Sequence, residues 1–239
     1  MKELQRILSF CRRAVDDYKM ITEGDKIAVG VSGGKDSMAL LSALAAMRRF
    51  YPIPYSLCAI TVDMGFPDAD FSSIARCCDT LDIEYRIEKT DIAEIIFNVR
   101  KEPNPCSLCS KMRRGVLHST AKEMGATRVA LGHHFDDAVD TFMLNLFFEG
   151  RIGCFSPVSY LSRSDLYLIR PLLYVPEKDI AYFMRHADVP TVASSCPENR
   201  NTERENMKKL LFKLEKDYPG LRHRIFGALC RGKIDGFHE

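Results

Sequence analysis

KIAVGVSGGKDS, residues 26–37, runs from an apolar stretch through two adjacent glycines into a polar helix start. Lys26–Val31 fits a short buried strand. A helix is expected from about Asp36 to Arg49, with Leu40, Leu41, Leu44 and Met47 at helical spacing. Between them, Gly33 and Gly34 let the backbone turn tightly and present N–H groups to an anion, and the helix N-terminus adds its positive end. Lys35 can neutralise phosphate charge and Asp36 can hold Mg²⁺. The pattern is not a Walker A loop. That loop needs Gly at position 29, where Val29 stands, and Ser or Thr after the lysine, where Asp36 stands. A glycine turn capped by Ser32 and Asp36 is the competing, purely structural reading.

The same strand-to-helix alternation continues along the chain. Strands are expected at Ser56–Val62, Ile83–Ile87, Arg128–Leu131 and, last, Leu166–Ile169. Helices are expected over 3–20, 68–80, 91–98, 107–124, 134–149, 177–187, 203–216 and 220–230. Leu4, Ile7, Leu8 and Cys11 form the apolar stripe of the first helix, and Lys101–Pro105, with two prolines, reads as loop. This is an α/β fold, a parallel sheet with helices on both faces, in a single domain over 1–239 with helical N-terminal and C-terminal extensions. Ligands in such sheets sit beyond the carboxyl ends of the strands. Ser32–Ser37, Asp63 and Gly132 all fall there.

Hydrophobic residues make up 46% and charged residues 28% of the 239, a composition that supplies a core. No apolar run approaches the roughly 20 residues that span a bilayer, and the charged first 20 residues lack a signal-peptide stretch. A cytoplasmic protein without a membrane partner is expected. The net charge of +2 means that any RNA surface is a local patch. Residues 200–239 hold ten Lys or Arg against six Asp or Glu, among them Lys208, Lys209, Arg222 and Arg224. They read as a phosphate-contacting surface or as a solvated helix face.

Nine cysteines, an odd number, do not suit a disulfide framework. Cys106-Ser107-Leu108-Cys109 opens a helix, so its two sulfurs share one face and the helix dipole favours thiolates. A buried thiol pair and a redox pair are the alternatives. Cys196, among polar turn residues, is the best third ligand, and Cys154 is a rival. Cys77 and Cys78, in a helical pattern, read as core and surface, as do Cys11, Cys58 and Cys230. Three thiolates can hold a [4Fe–4S] cluster or Zn²⁺ with a position left open.

Gly132-His133-His134-Phe135-Asp136-Asp137 spans a strand-to-helix junction. Asp136 and Asp137 are either helix caps or carboxylates serving acid–base work or Mg²⁺. His133 and His134, adjacent in sequence, diverge and make a poor metal pair. Asp63 contacts a ribose or caps a turn.

Ser32-Gly33-Gly34-Lys35-Asp36-Ser37 resembles the signature of the PP-loop, or N-type, ATP pyrophosphatases, which cleave ATP between the α and β phosphates. Pro105-Cys106-Ser107-Leu108-Cys109 with Arg113-Arg114-Gly115, and Leu131–Asp137, are similar to the tRNA 2-thiocytidine synthetase family. So are Gly24-Asp25, Arg170-Pro171-Leu172 and Cys196-Pro197 through Asn201-Thr202 to Arg204 and Met207-Lys208. The likeness runs from about Leu8 to Ala228. It implies ATP and Mg²⁺, the nucleotide bound by Ser32, Gly33, Gly34, Lys35, Asp36, Ser37, Asp63 and Gly132, with Mg²⁺ on Asp36. It implies a [4Fe–4S] cluster on Cys106, Cys109 and Cys196. It also implies that a pyrimidine C2 oxygen attacks the α-phosphorus and that sulfide at the open iron then displaces AMP. Catalytic roles fall to Lys35, to Arg113 at the activated intermediate and to Asp136 or Asp137 for protons. The implied partners are tRNA and a sulfur donor, a cysteine desulfurase or free sulfide, with a homodimer as one arrangement. Thiolation of another base, a ligase or amidotransferase for a small substrate, and a nucleotide- or cluster-binding regulator are the competing functions.

Overall fold

A computed structural model describes residues 2–102, 105–193, 195–197 and 203–238. Expectations for Pro103, Asn104, Ser194 and 198–202, the Asn201-Thr202 pair among them, lie outside the described residues. Six strands make one sheet: β1 (Lys26–Gly30), β2 (Ser56–Asp63), β3 (Glu84–Lys89), β4 (Arg128–Ala130), β5 (Val158–Leu161) and β6 (Leu166–Ile169). Their order is β3-β2-β1-β4-β6-β5. The first five in that order are parallel, and β5 closes the edge antiparallel to β6. The parallel sheet with helices on both faces is as expected, and β5 is an antiparallel edge strand that the sequence reading missed. It has four residues, none fully buried, and turns into β6 through Asp165 at φ +52°, so neither a long apolar run nor a glycine marked it.

The central strands are buried on both faces, which explains their near-continuous apolar sequence. Ile27, Val29, Leu57 and Ala59 point into the larger core. They meet α1 (Lys2–Asp17), α2 (Lys35–Met47), α3 (Ser72–Thr80), α5 (Phe135–Phe148), α6 (Glu177–His186), α7 (Glu203–Asp217) and α8 (Leu221–Arg231). Ala28, Cys58, Ile60, Val129 and Leu168 face the other way, under Leu117 and Ala121 of α4 (Pro105–Glu123). α4 starts two residues earlier than expected because proline fits the first helical position. The expected helix over 91–98 is a π-helical turn at Glu94–Val99.

β2 and β3 extend the sheet to one side of β1, whereas β4 and β6 lie on the other. The chain therefore reverses direction between β1 and β4, and the loops after these two strands form the crevice where such sheets bind ligands. At the opposite end the same two strands are tied by Asp25. Its carboxylate accepts from Thr22 N at 2.6 Å and Thr127 Oγ1 at 2.7 Å, and pairs with Arg128 Nε. Burial works to raise this carboxyl, but the bonds from Thr127 and Arg128 outweigh it and hold it below the usual range.

Asp25→Ala would leave the Arg128 guanidinium buried without its partner, a loss that costs about 3–5 kcal/mol of stability. Urea unfolding should show this loss. ATP binding to the folded variant should be unchanged, because Asp25 lies at the end of β1 away from the glycine loop.

Candidate functional site

The loop after β1 is shaped by its own side chains. Ser37 Oγ accepts from Ser32 N at 3.2 Å and donates to the Gly34 carbonyl at 2.9 Å. Gly33 sits at φ +82°, where a side chain is strained, and a Cβ there would meet Val192 Cβ at 2.8 Å. Val192 N donates to the Gly33 carbonyl at 3.0 Å, pinning the 191–193 segment over the loop. Lys35, Asp36 and Ser37 begin α2, so their N–H groups belong to the helix turn that has no internal acceptors. Such a turn suits an anion.

Lys35 Nζ lies 2.8 Å from Asp36 Oδ1 and 2.8 Å from Glu177 Oε1. Glu177 begins α6 and also faces Lys208 of α7 at 3.5 Å. Burial would raise the Glu177 carboxyl, but the Lys35 ammonium, helped by Lys208, takes it from 4.5 down to about 2. Burial likewise works against the Lys35 charge, yet Asp36 and Glu177 raise its pKa above the ordinary lysine value. Glu177 and Lys208 thus join the site from the C-terminal half of the chain.

The β4–α5 turn supplies the facing wall. A Cβ on Gly132 would stand 3.0 Å from the Asp36 carbonyl and 3.1 Å from Ser37 N. His134, 1% exposed, caps α5: its Nδ1 accepts from Asp137 N, and its own N–H donates to Asp137 Oδ2. Its Nε2 lies 3.7 Å from Asp36 Oδ1 and 3.4 Å from Asp137 Oδ2, so the ring bridges the two carboxylates. Burial pushes Asp137 up, but His134, His133 and Arg204 bring it below the usual range, ionised. Asp136 is turned elsewhere. Its Oδ2 accepts from Glu177 N at 2.7 Å and its Oδ1 from Arg222 at 3.0 Å, so it anchors α6 and α8. Asp63 Oδ1 accepts from Gly65 N at 3.0 Å, the turn-capping geometry.

Cys106 and Cys109 stand on the first turn of α4, the former exposed and the latter half-buried. Burial pushes the Cys109 thiol up, and the nearby Cys196 and Cys106 sulfurs add to this against the pull of Arg113. The three sulfurs therefore share one locality. The expected lowering of these thiols by the helix dipole does not carry for Cys109, because burial and two like neighbours outweigh it. No group of three or more Cys, His, Asp or Glu among the described residues stands in finished metal-ligating geometry. Cys154 is elsewhere: its Sγ donates to the Ala138 carbonyl at 3.5 Å, and burial raises it to about 12. Cys11, Cys58, Cys78 and Cys230 are buried and Cys77 half-buried, so the order expected for the adjacent pair is reversed: the Cys78 side of α3 faces the core. Arg113 is exposed, one turn beyond Cys109, with no ion pair among the described residues.

The basic C-terminal stretch divides differently from the expectation of a phosphate-contacting surface. Arg222 holds Asp136 and Asp140, Lys208 holds Glu177, and Arg224 donates to the Pro219 and Tyr218 carbonyls. Of the four residues singled out, Lys209 and Arg224 remain exposed. Helical packing turned the rest inward. Glu177, His134 and Arg204 were missed as site residues. Pro176 before Glu177 marks a helix start, but nothing in the sequence aims that helix at Lys35.

A family model described as a PP-loop domain matches residues 5–215. The chain is 40% identical over 228 residues to the tRNA-cytidine(32) 2-sulfurtransferase of Syntrophotalea carbinolica, covering 94% of this chain and 88% of that one. The enzyme of the same description from Geobacter sulfurreducens is also 40% identical over 228 residues, covering 94% and 89%. Among solved structures, U34-tRNA thiolase NcsA from Methanococcus maripaludis with its [4Fe–4S] cluster aligns at a TM-score of 0.76 and 25% identity, over 93% of this chain and 77% of that one. The glycine loop, the facing Gly132–Asp137 turn and these likenesses agree: the chain belongs to the PP-loop family, in the group of the tRNA-cytidine(32) 2-sulfurtransferases.

Proposed function

We propose that the protein spends ATP to activate the C2 oxygen of a tRNA cytidine, position 32 by likeness to its relatives, and replaces that oxygen with sulfur. What supports this reading is the pairing of a PP-loop whose lysine is held between two carboxylates with three thiols, Cys106, Cys109 and Cys196, of which the outer two lie close enough to Cys109 to act on its charge. A ligase for a small substrate has no use for the three thiols.

The donor set fits an iron–sulfur group: three soft thiols, none in a disulfide, two of them on one helix turn. When bound, a [4Fe–4S] cluster held by three cysteines supplies an iron without a protein ligand, at which inorganic sulfur can be presented. Mg²⁺ arrives with ATP, and Asp36 and Glu177 are the carboxylates that would hold it. The sulfur comes from a cysteine desulfurase or from free sulfide. A cytoplasmic setting keeps the nine cysteines reduced.

The residues divide the work. The loop N–H groups of Gly33 to Ser37 and the Lys35 ammonium cradle the triphosphate and stabilise the charge that develops on it. Asp63 takes the ribose. The cytidine C2 oxygen attacks the α-phosphorus, and the bond to pyrophosphate breaks. Sulfur then attacks C2, and the C–O bond to AMP breaks. Arg113 balances the negative charge of the departing AMP. The proton left on sulfur goes to Asp137, which is ionised and faces the phosphate loop through His134. We assign Asp136 to anchoring, since both of its oxygens already have partners.

Two measurements check this division. Prepared without oxygen, the wild-type protein should carry about four iron atoms per chain, and Cys196→Ala should lose them while Cys154→Ala keeps them. Lys35→Ala should keep its iron yet release no AMP with tRNA present. Near wild-type AMP release from that variant would sink the assignment. The Lys35–Glu177 pair also makes a pH prediction. Because the Glu177 carboxyl is lowered from 4.5 to about 2, its contribution to stability is complete above pH 4.5 and fades as the pH falls toward 2. The stability gap between wild type and Glu177→Gln in urea melts should be constant from pH 7 to 5 and narrow below 4.5.

A further inference from the structure

Two arginines beside the sheet are almost wholly buried, and they differ in one respect. Arg128, 7% exposed, is paired with Asp25. Arg170, 6% exposed and next after β6, has no carboxylate partner among the described residues. Its Nε donates to His133 Nδ1 at 3.2 Å and its Nη1 to the Ser156 carbonyl, and the guanidinium lies 4.8 Å from the centre of the Phe155 ring. Its Nη2 has no partner among the described residues.

The neighbours bring no negative charge either. Burial keeps the Cys154 thiol protonated and His133, pushed down to about 4, neutral. Burial also lowers Arg170 to about 10, and Arg114 of α4 adds to the positive field there. At neutral pH the guanidinium stays charged. Buried charges are ordinarily paired, because an uncompensated one is costly to desolvate. An anion that arrives from outside would complete the arrangement.

We infer that Arg170 receives a phosphate oxyanion of the acceptor RNA strand, flanked by Arg114 from the cysteine helix. This rests on the reading of the protein as a tRNA-modifying enzyme. Position argues for the acceptor rather than for ATP. The phosphate loop follows β1 and Asp63 ends β2, so the nucleotide takes the β1–β2 side of the switch point. Arg170 follows β6, beyond β4, on the other side. His133 spans the gap, close enough to Arg170 on one flank and to Asp137 and Arg204 on the other for each to shift its titration. A phosphodiester bound at Arg170 would hold the target strand beside His133, whose other flank faces Asp137, and beside the α4 helix that carries Arg114. The competing role is structural, the pinning of residues 155–156 through the Phe155 ring and the Ser156 carbonyl.

The test is the salt dependence of binding to a tRNA transcript carrying cytidine 32, for wild type, Arg170→Gln and Arg114→Gln. Neutralising one side chain that binds a phosphate lowers the slope of log affinity against log salt by roughly 0.7–0.9. Both variants should show about that decrease, with inhibition by free pyrophosphate unchanged. Arg114 is exposed, so its variant reports even if Arg170→Gln does not fold. A folded Arg170→Gln with the wild-type slope overturns the inference, as does a wild-type slope in Arg114→Gln. An unchanged slope with weakened pyrophosphate inhibition overturns it too, and gives the oxyanion to the nucleotide. Wild-type protein that binds no tRNA would instead contradict the proposed function itself.

Discussion

Residue 132 carries no side chain, and the site depends on that. A Cβ there would stand 3.0 Å from the Asp36 carbonyl, tighter than ordinary contact, so the helix backbone would have to shift by a few tenths of an ångström. Because glycine permits the approach, the loops after β1 and β4 close on each other at the switch point of the sheet. His134 then reaches Asp36 and Asp137 together, and Asp136 is free to clamp the start of α6. That clamp sets Glu177 against Lys35. A side chain at 132 would push the β4–α5 turn away from the start of α2 and loosen the contacts of His134 and Glu177 with the phosphate loop.

What was legible in the sequence follows from how local each cause is. The strand, turn and helix of residues 26–47 are determined by neighbours, so the loop and its direction could be read directly. Paired thiols at Cys106 and Cys109 could be read for the same reason, from helix spacing. β5 could not, since its pairing with β6 compensates for a short, half-exposed stretch that carries no period of its own. Glu177 and His134 escaped because their roles come from elements distant in sequence. His134 reads locally as a helix cap, which it is, and its contact with Asp36 exists only once β1 and β4 pair. Arg222 and Lys208 looked like RNA-facing cations by composition. Their carboxylate partners, on α5 and α6, became visible only with the helices packed.

The C-terminal helices therefore belong to the site. Cys196 lies eight positions before Arg204, which reaches Asp137 at 3.2 Å, and Lys208 on the same helix reaches Glu177. The third thiol and the phosphate side are thus connected through one short span of chain. α4 makes the second connection, carrying Cys106 and Cys109 at its start and Arg113 and Arg114 one turn further on. Under the function proposed, the phosphate loop handles ATP and the thiols handle sulfur, as two separate centres.

If the centres are separate, losing one must leave the other working. Cys109→Ala, checked by circular dichroism for an intact fold and freed of iron, is the most direct test. Given tRNA, it should still convert ATP to AMP and pyrophosphate while forming no thiolated base in nucleoside mass spectrometry. A folded, iron-free Cys109→Ala that releases no AMP at all would contradict the account, because the thiols would then be needed for activation as well as for sulfur.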